Sequence, residues 1–234
     1  MKNKNSLSDE ERLRNYLEGQ GNPEKDLNTY NYFWKGVGQH IDLHDASFID
    51  YDIKNIVLRY SNLKGVDLSG TNLYKADLTG ANLENATIFK ANWYRIILNK
   101  ANLRNVELSG SIIAKSFFED ADLSNTSMLG VNAAETKFNR AKFNKANLSG
   151  SNLTNASCLK ANLSEAILKG SILKNASFLG ANLRGANLSG ADLTGCNFSG
   201  ANLYCAILEG ANLTGVNLHS AANIDGIDLT NAKL

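Results

Sequence analysis

Apolar residues recur every five positions along most of this chain. With the central Leu, Ile or Phe of each unit set as position i, the register runs unbroken from 41 to 220, which is 36 units. Leu, Ile or Phe fills position i in 32 of the 36, the exceptions being Trp93, Met128, Ala133 and Cys158. Position i−2 is Ala in 19 units and otherwise mostly Ser, Thr, Val or Ile, with Tyr51 the one bulky polar misfit. Residues two apart in an extended chain share a side, so i−2 and i face one way and i−1 the other. Positions i+1 and i+2 break the alternation. Gly holds i+2 in 14 units and Asn in several others, and both tolerate the positive φ of a tight turn. Each unit therefore predicts a short strand and a turn. A helix does not fit, because apolar residues spaced by five drift around a 3.6-residue period. One Leu and one Ala per unit cannot offset the ordering of five residues, so the units must stack into a solenoid.

At a spacing of twenty, Phe118, Phe138, Phe178 and Phe198 fall in one column with Cys158 in the gap. This supports four units per coil. Asn at i−1, as at Asn62, Asn82 and Asn102, also recurs every twenty and predicts hydrogen bonds along the stack. The stretch "ANWYRIILNK", residues 91–100, departs most from the repeat: Trp93 sits at position i, so that coil is expected to bulge or repack. Ala133, two coils away in the same column, cannot compensate by direct contact.

Residues 1–40 lie outside the register. Ser8-Asp9-Glu10-Glu11 is a capping box and predicts a short helix over 8–18, ended by Gly19 or Gly21. The aromatic run Tyr30-Asn31-Tyr32-Phe33-Trp34 reads as a cover for the open end of the solenoid. The register slips by one residue near 220–222 and resumes at Ile224, Leu229 and Leu234, giving a shifted C-terminal coil over 221–234. The chain ends on a position-i Leu with no evident cap, which makes that end a candidate homodimer surface.

Charge and chemistry narrow the function classes. Lys plus Arg number 24 against 23 Asp plus Glu, a net charge of +1, so no overall field steers the chain toward nucleic acid or an anionic membrane. Cys158, Cys196 and Cys205 read as free thiols of a reducing compartment. There is no basic-then-apolar leader and no apolar run of membrane-spanning length, and the cytoplasm is the default location. His40, His44 and His219 are the only histidines, and no nucleophile, phosphate-loop or zinc motif accompanies them. Asp42, Asp45, Asp50 and Asp52 lack EF-hand spacing and read as a solvated face. A narrow core of Leu, Phe and Ala leaves no ligand cavity. The expectation is a non-enzyme with no catalytic, cofactor or metal site and no cofactor.

Function must then lie on the outward positions. Tyr74 and Tyr94 share one i+1 column, with Lys75, Arg95 and Lys115 beside them at i+2 and Ile97 and Phe117 around the next corner at i−1. These seven residues form the candidate interaction patch, because aromatics and Arg are enriched at interfaces. A second basic group, Lys137, Arg140, Lys142, Lys145 and Lys160, reads as a solvated face. Leu159 and Leu179 make a smaller outward apolar spot.

The A(D/N)LXX pattern, as in Ala76-Asp77-Leu78-Thr79-Gly80, resembles the pentapeptide-repeat family over about four fifths of the chain. That resemblance implies an all-β solenoid, a right-handed quadrilateral parallel β-helix with twenty residues per coil and a short N-terminal α-helical cap, which "RLRNYLEGQ" at 12–20 loosely resembles. Nine coils make a rod of roughly 43 Å. It implies a bacterial, notably cyanobacterial, non-catalytic scaffold that acts through an unidentified protein partner. The alternative it brings is a DNA mimic that protects DNA gyrase or topoisomerase IV, as the quinolone-resistance branches do. That mechanism implies an acidic rod, whereas residues 41–234 hold 18 basic and 17 acidic side chains. Direct nucleic-acid binding along the Tyr and basic edge is disfavoured by the same balance.

Overall fold

The computed structural model describes residues 40–234. The helix expected over 8–18 and the aromatic run at 30–34 lie outside the described residues. Each five-residue unit pairs through its i−1 residue alone, in parallel with the residue twenty positions on, from Asp42 with Asn62 to Asp192 with Asn212. Four units therefore complete one coil, and the chain is a four-sided β-solenoid. The outward columns of its four faces start at Asp42, Ser47, Asp52 and Val57, and are called the first to fourth faces below. Coils are counted from 41–60 upward.

Backbone amides tie each coil to both neighbours. In the first unit Leu43 N donates to Asn62 O and Asp45 N to Lys64 O, both at 2.8 Å, while Asn62 N donates back to Ile41 O at 2.8 Å. Corners close by a bond from the next unit's first amide to the carbonyl at i, as Ala81 N to Leu78 O at 3.0 Å. The third residue of each such turn takes positive φ, as a type II turn requires. Non-glycine residues adopt it too, among them Arg95 (φ 61°) and Lys115 (φ 57°).

Asn and Asp at i−1 have a local role that the repeat alone did not disclose. Their side-chain oxygens accept the amide two residues on, as Asp77 Oδ1 from Thr79 N at 3.0 Å and Asn152 Oδ1 from Thr154 N at 3.0 Å. This Asx arrangement satisfies the exposed turn amide that no coil neighbour reaches. Stacking bonds along the column also form, as Asn102 Nδ2 to Asn82 Oδ1 at 3.0 Å and Asn182 Nδ2 to Asn162 Oδ1 at 3.1 Å.

Inward side chains at i and i−2 build one continuous core along the rod. Phe118 and Phe138 lie 5.2 Å apart in the fourth face, as do Phe178 and Phe198, with buried Cys158 between the pairs. Trp93 is fully buried, and the ladder keeps its spacing of twenty on both sides of it, Asn72 to Asn92 and Asn92 to Ile112. The coil repacks rather than bulges, and hydroxyls of the coil above bridge the corners before and after it. At the corner before Trp93, Ala91 N donates to Ser111 Oγ at 3.0 Å, and the Ser111 hydroxyl donates on to Ile88 O. At the corner after Trp93, Ile96 N donates to Ser116 Oγ at 3.1 Å and the Ser116 hydroxyl donates to Trp93 O at 3.0 Å. The indole Nε1 reaches Thr71 Oγ1 at 3.4 Å.

At the C-terminal end the pairing interval becomes 21, from Asn202 to Asn223, Ile207 to Asp228 and Asn212 to Lys233. The extra residue is taken up by the 3-10 turn Leu218–Ser220, whose first amides are met by the Asn217 side chain through His219 N. Among the described residues no helix is long and apolar enough to cross a membrane.

Candidate docking surface

The edge between the third and fourth faces collects the residues that leave the repeat. Twenty-residue stacking places Tyr74 directly below Tyr94, with rings parallel to within 2° and centroids 6.0 Å apart. Lys75 Nζ lies 5.0 Å from the Tyr74 centroid and the Arg95 guanidinium 5.6 Å from that of Tyr94. These are cation–π contacts at a partly exposed edge. The positive φ of Lys75, Arg95 and Lys115 aims three cationic side chains from the same point of successive turns.

Around the corner on the fourth face, Ile97 and the exposed Phe117 project from neighbouring rungs of one ladder. Between the two columns lies an open groove of about 750 Å³ lined by Lys75, Arg95, Ile97, Lys115, Phe117, Glu135, Lys137 and Asn155. Five of the seven patch residues named from the sequence line it. Tyr74 and Tyr94 do not; they stand beside it as a stacked pair. Glu135, Lys137 and Asn155 extend the groove into the next coils; Glu135 and Asn155 were missed, and Lys137, read from the sequence as part of a solvated basic face, lines the groove instead. Their signal was present in the spacing, since Glu135 continues the Lys75 column and Lys137 the Phe117 column.

This edge gathers cations that find no carboxylate among the described residues; Lys90 and Arg184 elsewhere on the rod find none either, each lying over a ring of its own. Elsewhere several carboxylates are paired. Arg59 Nε donates to Asp77 Oδ2 at 2.7 Å directly below Ile97, and Arg104 Nε donates to Asp122 Oδ2 at 2.8 Å. In the second basic group three of five cations are paired among the described residues, Arg140 on Asp120 at 2.7 Å, Lys142 near Asp122 at 3.7 Å and Lys145 near Glu165 at 3.8 Å, while Lys137 and Lys160 are not. In the groove Lys115 meets Glu135 at 3.5 Å. Lys75, Arg95 and Lys137 have no carboxylate partner among the described residues.

No other chemistry converges here. Burial pushes the Cys158 and Cys196 thiols up to about 12, so they are inert core groups. Asp42 lies 2.8 Å from His44, both exposed. Among the described residues no three His, Cys, Asp or Glu side chains come together to hold a metal.

The fold and this surface define a repeat solenoid with a cationic, apolar-floored edge. The chain belongs to the pentapeptide-repeat family, whose profile matches it in eight copies across 52–88, 101–140, 134–170, 161–200, 181–219 and 196–234. Among solved structures it is similar to HetL, a pentapeptide-repeat protein involved in heterocyst differentiation regulation in the cyanobacterium Nostoc. The identity is 28% over 98% of this chain and 95% of that one, with a TM-score of 0.50. It is also similar to trypsin-treated QnrB1, a plasmid-mediated fluoroquinolone resistance protein, at 23% identity over 81% of this chain and 88% of that one, with a TM-score of 0.52. No curated protein matches the chain.

Proposed function

We propose that the chain is a non-catalytic protein–protein interaction scaffold that docks its partner along the edge formed by Tyr74, Lys75, Tyr94, Arg95, Ile97, Lys115 and Phe117. The observation that carries this is the groove itself, in which three cations without a carboxylate partner among the described residues flank the half-buried Ile97 and the exposed Phe117. A stacked solenoid holds such side chains in fixed register, so little ordering entropy opposes docking. The likeness to HetL, which is involved in heterocyst differentiation regulation, supports a role in regulation. The unpaired cysteines suit a reducing compartment, which supports a cytoplasmic location.

The test is affinity capture from host lysate with the intact protein beside a Tyr94→Ala, Arg95→Glu variant. The reading expects a discrete protein that the variant no longer holds. A partner held equally by both sinks this surface. Capture of a type II topoisomerase, unaffected by the variant, promotes the DNA-mimic alternative, which the pairing of Asp77, Asp120, Asp122 and Asp192 with cations does not favour. Self-association through the C-terminal end is a separate proposal. It is supported by Leu218, Ile224 and Leu229, which pack on the core yet stay half-exposed. A light-scattering mass of a single chain contradicts it.

A further inference from the structure

We infer that the groove is built for an extended segment of the partner in which acidic and apolar side chains alternate. This inference rests on the docking surface proposed above and names what that surface binds. Charge gives the first half of the argument. Four cations and one carboxylate line the groove, and the carboxylate, Glu135, is already within 3.5 Å of Lys115. Lys75, Arg95 and Lys137 find no carboxylate among the described residues, whereas Asp77, Asp120, Asp122 and Asp192 elsewhere on the rod are each met by a cation. Lys90, Lys100, Lys160, Lys169, Arg184 and Lys233 also lack a carboxylate partner among the described residues, but the groove gathers three such cations against an apolar floor on a chain that is close to neutral.

The floor gives the second half. Phe117 is 42% exposed and stands next to Ile97 on the ladder. A free anion would neutralise the ledge and leave this floor in water. An uncharged apolar peptide would cover the floor and desolvate the cations without pairing them, which is costly. Only a segment with both kinds of side chain satisfies both walls.

Geometry supplies the conformation. Lys75 to Lys115 rise one rung per coil, about 4.8 Å each, and the lining continues to Asn155 two coils further. Five rungs span about 19 Å, the reach of about six extended residues. In such a chain alternate side chains point to opposite sides. One row can meet the Lys75, Arg95 and Lys115 ledge while the other covers Ile97 and Phe117. A single strand of nucleic acid fits less well. Tyr74 and Tyr94 already stack on each other beneath their own cations, and Phe117 is the one ring lining the groove, whereas such strands are held by successive open ring faces.

The experiment is selection from a displayed library of random dodecapeptides on the full-length chain. The selected peptides are then titrated by fluorescence anisotropy against the wild type, a Lys75→Glu, Arg95→Glu variant and a milder Lys75→Ala, Arg95→Ala variant. Circular dichroism melts show that each variant is folded. The expected peptides alternate Asp or Glu with Leu, Ile, Phe or Tyr, weaken as salt is raised, and lose at least about tenfold in affinity on the glutamate variant. Neutral or basic peptides that Phe117→Ala still abolishes would overturn the acidic inference and keep the docking surface. Peptides that bind every variant alike would overturn the surface as well. Failure to enrich any sequence, or tighter binding of an oligothymidine control than of any peptide, overturns the inference.

Discussion

The corner geometry can be tested at Gly150, the third residue of its turn, with φ +65° and no atom within 4 Å of where a Cβ would stand. An alanine there meets no steric neighbour, so its cost is that of the left-handed backbone alone. That cost is about 1–2 kcal/mol for an L-residue. The less flexible unfolded chain of an alanine returns about 0.4–1 kcal/mol. Gly150→Ala should therefore destabilise the protein by a net of about 1 kcal/mol. Gly80 provides the contrast: its φ is +67°, and an added Cβ would run into the Tyr60 ring of the coil below. Tyr60 is half-exposed and can swing aside, so Gly80→Ala should cost about 1 kcal/mol beyond Gly150→Ala. Urea denaturation followed by far-UV circular dichroism measures both, with an unchanged m-value showing that the same surface unfolds. A Gly150→Ala protein as stable as the wild type would refute the left-handed corner, and with it the turn on which the four-sided coil depends.

Trp93→Ala removes a fully buried indole whose one polar contact is long at 3.4 Å, so the loss is almost all packing and should be about 3–5 kcal/mol by chemical denaturation. Burial pushes the Asp77 carboxyl up, but the Arg59 and Thr79 hydrogen bonds outweigh it and hold the group below its ordinary value; at Asp122, Ser124 and Arg104 do the same. Their stabilisation is complete above the unfolded carboxylate value of about 3.9 and is lost as pH falls through the lower folded values. Asp77→Asn should accordingly flatten the fall in urea midpoint on acidification. Cys205 is exposed while the two core thiols are pushed up to about 12, so a thiol reagent at pH near 8 should label Cys205 alone in the folded protein, and all three only after unfolding.

The coil was legible in the sequence because packing repeats itself. Each inward Leu and Ala answers to the same narrow core, so the five-residue register and the Phe118 to Phe198 column could be read without coordinates. The Asx turns were not read, because Asn at i−1 suits both a stacking bond and a turn amide, and spacing alone does not separate them. The corners around Trp93 are bridged by Ser111 and Ser116, which look like any other small i−2 residues until their hydroxyls are seen to reach Ile88 O and Trp93 O. At the groove, aromatic and apolar residues announced themselves by breaking a polar pattern. Lys137 and Asn155 did not, since a polar residue at an outward position is what the repeat leads one to expect. Which cations are free was hidden too. It depends on contacts such as Arg140 to Asp120 and Arg104 to Asp122, twenty and eighteen residues apart, where side-chain rotamers decide the pairing.

The docking edge is tested most directly by placing a photo-crosslinking amino acid at Phe117 and, separately, at Ile167. The two positions are matched in exposure at 42% and 39% and sit on opposite faces of the rod. After irradiation in the host cell, the account requires a discrete crosslinked protein from Phe117 that Arg95→Glu abolishes, and none from Ile167. The same crosslink from both positions, or one from Ile167 alone, would contradict it.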